Sequence, residues 1–463
     1  MRAWAFSESN GRIAMARNIK INLSLIKFCL AGLLLAYGSW WAFCSIRFDG
    51  RPNVVMIVTD DIGIECFSFA GSADYQTPNL DRLATNGLAF SHCYAQPLCT
   101  PSRVKLMTGK YNFRNYDEFG YLSPRERTIG NVMRDAGYQT CISGKWQLNG
   151  HFTKEPRFDD PRRPADAGFD RSCLWQVSRR KSAGGCYYNP RIEIDGELQA
   201  KRKFNGKYGP DIFCEFLCQF IRKNRSRPFF AYYPMVLAHP PFHLPPRLPN
   251  ARSNDLSKMS EGERKQMHFK QMVEYADMLV GRVTACLESE GLRENTIIIF
   301  TSDNGTPPQI TSAKSDGSIV LGGKGRLTDA GTHVPLVFSG PTVSMKGVSD
   351  EMVDFADIFP TLVEIAGEEP SRPFDGVSLL PVLSGLPRET KPFAYCYYNP
   401  KFHGFESFSG EFIRDQQFKL YRDGRFYNIW SDPNEENPIT ADNELLRVRR
   451  IELQGWLESV RTE

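Results

Sequence analysis

Two short apolar runs, each closed by acidic residues, limit the fold of this chain more than any other feature. Val54–Thr59 reads VVMIVT and passes straight into Asp60 and Asp61; Ile297–Thr301 reads IIIFT and passes through Ser302 into Asp303 and Asn304. Runs this short and this apolar are strands buried on both faces, as a parallel sheet covered by helices requires. Further strand-like runs at Thr140–Ser143, Phe229–Pro234 and Val334–Ser339 alternate with helical patterns at Asn79–Asn86, Asp211–Arg222 and Glu261–Gly291. That alternation predicts an α/β fold. Thr77-Pro78 and Gly87 supply start and stop signals for the first helix. From Gly385–Pro392 onward the texture changes to hairpin-like alternation, with a last helix near Asn443–Ser459. The expected division is a segment 1–50, a large α/β domain 51–386 and a small C-terminal α+β domain 387–463 with an antiparallel sheet.

In open α/β sheets a ligand crevice lies beyond the carboxyl ends of the strands. Two strands ending in Asp60-Asp61 and Asp303-Asn304 therefore place four oxygen ligands near one point. Adjacent carboxylates repel unless a cation neutralises them, and an all-oxygen set with an amide suits Ca²⁺ or Mg²⁺ better than zinc. Either pair alone is read first as a turn or helix-cap signal; the two together, both at strand ends, bring the metal site level with that reading.

A third feature is Pro97–Lys110, PLCTPSRVKLMTGK. Thr100 is placed to cap a helix, Pro101 to open it and Gly109 to close it. Cys99 then sits at the positive end of a helix dipole, with Arg103 one turn in. Such a thiol is a reactive nucleophile or a buried, inert filler. Cysteine-dependent phosphatases place an arginine six residues after the cysteine, where this chain has Lys105.

The amino terminus carries an export signal: Phe28–Phe43 is an uncharged apolar run preceded by Arg17, Lys20 and Lys27. It lacks a clean cleavage site, so the segment is read as a signal peptide or an uncleaved membrane anchor. The protein is expected to be exported: periplasmic, extracellular, or anchored facing outward. A net charge of +4 over 463 residues gives no case for nucleic acid. The basic stretch Arg157–Lys207, including Arg179, Arg180 and Lys181, reads as a solvated loop or as a rim that attracts anions. Of twelve cysteines, nine remain once Cys29, Cys44 and Cys99 are set aside; no C-x-x-C pair suggests zinc and no spacing specifies a bridge.

Cys99-Thr100-Pro101-Ser102-Arg103, followed by Leu106 and Thr108-Gly109, resembles the signature of the type I sulfatases of the alkaline phosphatase superfamily. The resemblance extends through PNVVMIVTDD, GYQTCISGKW, AHPPF, TSDNG, GGKGRLTDAGTHVP and FKLYRDGRFYNIWSDPNEENP. It implies a large mixed β-sheet flanked by helices, and sulfuric ester hydrolysis on a sulfated small molecule or polysaccharide, a sulfated carbohydrate in the first place. It also implies that a separate maturation enzyme oxidises Cys99 to formylglycine. The hydrated aldehyde is then a geminal diol, one hydroxyl attacking sulfur and the other expelling sulfate. By the same resemblance Asp60, Asp61, Asp303 and Asn304 hold Ca²⁺ in contact with residue 99, and Arg103 braces the diol. Lys145 and Lys324 bind sulfate oxygens, and His239 sits at the sulfate or the leaving oxygen as ligand or proton donor. Two departures stand out. Gln147 replaces the histidine of the usual Gly-Lys-Trp-His and has no proton to give at neutral pH. Asp329-Ala330-Gly331-Thr332-His333 replaces Glu-Gly-Gly-x-Arg, a change read as structural. The alternatives are a phosphonate or phosphate ester hydrolase of the same superfamily, or a non-catalytic sulfated-glycan binder with Cys99 unmodified.

Overall fold

Strand Asn53–Thr59 (β1) shows why the chain folds as it does. Its residues alternate between two cores: Val55 and Ile57 join one, Val54, Met56 and Val58 the other, all fully buried. Each such side chain contributes about 1.5–3 kcal/mol by leaving water. A strand apolar on both faces needs helices on both, and it has them. The computed structural model describes residues 50–150, 159–177, 185–246, 258–369, 374–388, 391–441 and 443–462. The expected targeting segment and the Arg179-Arg180-Lys181 cluster lie outside these residues. Among the described residues no helix is long and apolar enough to cross a membrane.

The strands that follow are Leu88–Tyr94 (β2), Gln139–Lys145 (β3), Arg171–Trp175 (β4), Glu193–Ile194 (β5), Glu197–Leu198 (β6), Phe229–Pro234 (β7) and Thr296–Ser302 (β8). Then come Thr311–Ala313 (β9), Ile319–Leu321 (β10), Leu336–Ser339 (β11) and Gly347–Asp354 (β12). Ten of them form one mixed sheet in the order β12-β2-β11-β8-β1-β7-β3-β4-β5-β6. The centre, β8-β1-β7-β3, is parallel throughout, while β11 runs antiparallel between β2 and β8. Helices Pro78–Thr85 (α1), Gly209–Lys223 (α3) and Glu261–Ser289 (α4) cover one face; Cys99–Thr108 (α2) and Ile358–Ile365 (α5) cover the other. Strands Ala394–Tyr398 (β13), Gly410–Arg414 (β14), Phe418–Tyr421 (β15) and Phe426–Asn428 (β16) make a separate antiparallel sheet, against which the last helix, Glu444–Thr462 (α6), packs.

Local signals explain most boundaries. Ser260 and Glu263 form a reciprocal capping box at the start of α4. Gly109 closes α2 in the left-handed region, φ 66°, its N–H bonded to the Lys105 carbonyl. The start of α2 differs from expectation. The helix begins at Cys99 with Leu98 outside it, and Thr100 caps nothing; its hydroxyl accepts from the Gly120 N–H at 3.1 Å. β2 escaped the sequence reading because half-buried Ser91 and His92 interrupt its apolar pattern.

Candidate active site

The parallel centre of the sheet delivers one functional group after another at its carboxyl edge. Thr59 of β1 is in register with Ser302 of β8, so Asp60 and Asp303 emerge side by side. β3 ends on Lys145, and the segment after β7 brings in His239, with the Ala238 N–H bonded to the Asp60 carbonyl at 2.7 Å. Gly144 allows this convergence: at φ 132° its α-carbon lies against β7, and a β-carbon there would meet the Pro234 oxygen at 1.9 Å. Lys324 arrives on a loop held by its own N–H on Thr306 (2.9 Å) and by Gly325 N–H on Pro97 (2.8 Å). Asp61 (φ 62°) and Gln147 (φ 54°) both occupy the left-handed region, an uncommon conformation for non-glycine residues that fixes where each side chain starts.

Three carboxylates meet three cations here. Lys145 Nζ donates to Asp60 Oδ2 at 2.7 Å, Lys324 Nζ to Asp61 Oδ2 at 2.5 Å, and Arg103 through Nε and Nη2 to Asp303 Oδ2 at 3.0 and 2.7 Å. Asn304 Nδ2 donates to Asp61 Oδ1 at 2.8 Å. Cys99 Sγ donates to Gln147 Oε1 at 3.2 Å, so the residue that replaces the expected histidine faces residue 99 directly. Asp60, Cys99 and Asp303 offer ligand atoms within 4.8 Å of one another, as do Asp60, Asp61 and His239. All ten candidate residues converge on one spot. Among these ten residues three buried side-chain atoms have no hydrogen-bond partner: Asp60 Oδ1, Asn304 Oδ1 and Arg103 Nη1.

Burial and charge set the protonation states. Burial pushes the Cys99 thiol up, against the pull of Lys145 and Lys324, so it is not a ready thiolate. Burial and the neighbouring Asp60 push Asp303 up to about 6, opposed by Arg103. His239 is pushed down to about 3 by burial and by Lys145 and Lys324. Its Nδ1 lies 2.6 Å from the Pro240 carbonyl, an acceptor only, so Nδ1 carries the proton and Nε2 is left as an acceptor. Lys105, which sequence placed at a phosphatase-arginine position, points away: it is buried against Asp354 (2.5 Å) and the Tyr395 carbonyl (2.9 Å).

Sequence reasoning missed the tyrosines around this centre. Tyr187 Oη lies between the carbonyl oxygens of Val236 (2.9 Å) and His239 (2.6 Å) and holds the histidine segment. Tyr232 lies close enough to Arg103, Asp303 and Asp60 to feel their charges, and Tyr116 and Tyr398 are near Cys99 in the same way. In FFAYYP, only alternation along β7 marked which tyrosine faces which layer.

The Asp329 departure has a structural reason. Asp329 pairs with Arg414 of β14, which also donates to the Gln416 carbonyl at 3.0 Å and stacks over Tyr94 at 4.2 Å. Lys419 of β15 donates to the Leu327 carbonyl at 2.5 Å. The C-terminal sheet thus clamps the loop that carries Lys324. Asp329→Ala leaves the buried Arg414 guanidinium without its carboxylate and should lower stability by about 3 kcal/mol. A shift of the urea midpoint at constant slope would show it, and a loss below about 1 kcal/mol would deny the clamp.

Comparison with known proteins supplies the context. Residues 52–368 match the family model described as Sulfatase, and residues 323–463 match the one described as N-sulphoglucosamine sulphohydrolase, C-terminal. The N-acetylgalactosamine-6-sulfatase of Canis lupus familiaris is 28% identical over 377 residues, covering 74% of this chain and 68% of that protein. This chain thus spans about two thirds of that relative's length. A structure solved in complex with its substrate D-glucosamine-2-N,6-O-disulfate aligns with TM-score 0.68 at 23% identity, covering 89% of this chain and 98% of that one. The phosphonate monoester hydrolase of Agrobacterium radiobacter aligns with TM-score 0.66 at 21% identity, covering 89% and 96%. At such identities these two likenesses concern the fold.

Proposed function

The chain belongs to the sulfatase family of hydrolases, and from that premise we propose that it removes sulfate from a sulfated carbohydrate through residue 99, oxidised to formylglycine, beside a bound Ca²⁺. The observation that carries this reading is the convergence of three carboxylates, an amide and three cations on Cys99 at one sheet edge.

The residues fit both groups. Asp60 Oδ1 and Asn304 Oδ1 are buried acceptors without donors, which a hard cation satisfies. Asp60, Asp61, Asp303 and Asn304 would hold the Ca²⁺, whose charge would favour negative oxygens on residue 99 and on sulfate. Formylglycine would supply two hydroxyls, one to take the sulfate and one to let it go.

The rest follows from the chain's own side chains. Arg103 is fixed by two bonds to Asp303, and its third nitrogen, Nη1, is left to donate to an anionic oxygen. Lys145 and Lys324 each hold a carboxylate with one N–H and keep others for sulfate oxygens as charge develops in the transition state. His239, neutral with Nε2 as acceptor, favours the ligand side of the two roles expected for it. Gln147 orients residue 99 and moves no proton.

The substrate class is supported by the sulfated amino sugars in the printed names of relatives and structural neighbours. Side-by-side kinetics on para-nitrophenyl sulfate and phosphate test the reaction class: the sulfate should be preferred by about a hundredfold or more in kcat/KM. A preference for phosphate would sink the reading in favour of a phosphate or phosphonate ester hydrolase. The mass of peptide Leu83–Arg103 from the native host tests the modification. An intact thiol throughout would favour a non-catalytic glycan binder, which Gln147 opposite Cys99 keeps open. We further propose export or outward-facing anchoring by Phe28–Phe43, where the maturation enzyme must meet the chain first.

A further inference from the structure

Of the ten candidate residues only His239 and Lys324 are not buried, so a substrate must reach the centre past them. Beside Lys324, phenylalanines from a part of the chain far away in sequence pack against its loop. The connection between β13 and β14, residues 399–409, carries Phe402, Phe405 and Phe408. Phe405 lies over Gly325, next to Lys324: a β-carbon on that glycine would meet Phe405 Cε1 at 2.4 Å. Phe402 stacks on Phe405 with centroids 5.9 Å apart and on Phe119 at 4.0 Å with planes 21° apart. Phe119, Phe402 and Phe405 belong to the same apolar cluster as Leu98 and Cys99. The connection is pinned at its start, where Tyr116 Oη donates to the Pro400 carbonyl (2.7 Å) and Lys401 Nζ to that of Asp117 (2.6 Å). Phe402 and Phe405 nonetheless stay half-buried rather than sealed in the core.

Resting on the function proposed above, the geometry points to this shelf as the part of the site that reads the alcohol half of the substrate. It selects an alcohol whose framework presents a flat apolar face: an aromatic ring or the C–H face of a sugar ring. The physical reason is a division of labour. The sulfate is held by charges that recognise any sulfate ester, so discrimination falls on whatever lies beside the leaving oxygen. Stacked rings there add surface burial and ring–ring contact that an acyclic alcohol cannot match.

Binding tests this without turnover. In the Cys99→Ala background, para-nitrophenyl sulfate, glucosamine sulfate and ethyl sulfate are titrated by calorimetry with and without Phe405→Ala. The substitution should weaken binding of ring-bearing esters about tenfold and leave ethyl sulfate unchanged. Phe405→Leu, which keeps bulk over Gly325 but loses the flat face, should show the same ring-selective loss, and Phe405→Tyr should restore binding. Whether the nitrophenyl ester, the sugar ester or both respond identifies the ring. Equal losses on all three ligands, or none on either ring, overturn the proposal. If the wild-type protein hydrolyses no sulfate ester, the proposed function fails while this comparison still decides the shelf.

Discussion

Cys99→Ser should take up one sulfate from an aryl sulfate and then stop, and Cys99→Ala should lower turnover by about 10⁵-fold with no sulfate retained. The two variants separate the halves of the reaction. A serine hydroxyl at residue 99 meets the same guanidinium of Arg103 and the same ammonium groups of Lys145 and Lys324, so transfer of sulfate to it is supported. It has no second hydroxyl on the same carbon, so nothing at that position can expel the sulfate. Mass spectrometry of the intact Cys99→Ser protein after incubation should show a gain of one SO₃ group. Continuous turnover by Cys99→Ser would overturn the need for formylglycine, and unchanged turnover by Cys99→Ala would remove residue 99 from the chemistry. An unmodified thiol is not expected to do the work of the proposed formylglycine, because burial pushes it up and Gln147 accepts its proton without removing it.

How much of this was legible beforehand depends on sequence distance. The strands that present Asp60 and Asp303 were readable because burial on both faces leaves a continuous apolar run, and the edge they share follows from parallel pairing. Lys145 and Lys324 were not distinguishable by physics from surface lysines; only resemblance singled them out. Lys105 shows the limit from the other side. It sits six residues from Cys99, yet the turn of α2 aims it at Asp354 and the C-terminal sheet, so spacing along the chain said nothing about its function. The start of α2 lies two residues before the expected one, because the Thr100 hydroxyl read as a cap accepts from the Gly120 N–H in a loop contact instead. The phenylalanine shelf had no local signature at all. Phe405 acquires meaning only from Gly325, in a loop that Arg414 and Lys419 hold to the C-terminal sheet from far along the chain.

The second large effect concerns Lys145. Asp60, Asp61 and Asp303 balance Arg103, Lys145 and Lys324 in pairs, so the centre is neutral without an ion, which is how three buried carboxylates are tolerated. A divalent cation makes the centre doubly positive, which suits an incoming sulfate monoester and a negative oxygen on residue 99. Lys145→Met removes the partner of Asp60 while the ion's ligands stay intact. Without Ca²⁺ the variant should lose about 3–5 kcal/mol, the cost of a buried charge left alone. With Ca²⁺ at a hundred times its Kd the wild-type protein should gain about 2.7 kcal/mol, and the variant more, since the ion no longer competes with an ammonium for Asp60. Ca²⁺ should outperform Mg²⁺, because Mg²⁺ demands a near-ideal octahedron and keeps several waters, whereas Ca²⁺ accepts several carboxylates and an amide in a less regular set. Turnover by the Ca²⁺-loaded variant should still fall by about 10²–10³-fold, because the ion restores charge balance but not the N–H donor aimed at sulfate. Urea midpoints with and without Ca²⁺, read beside kcat, separate the two roles. Equal stabilisation of both proteins would show that lysine and ion do not share Asp60, and no stabilisation of either would overturn the metal site.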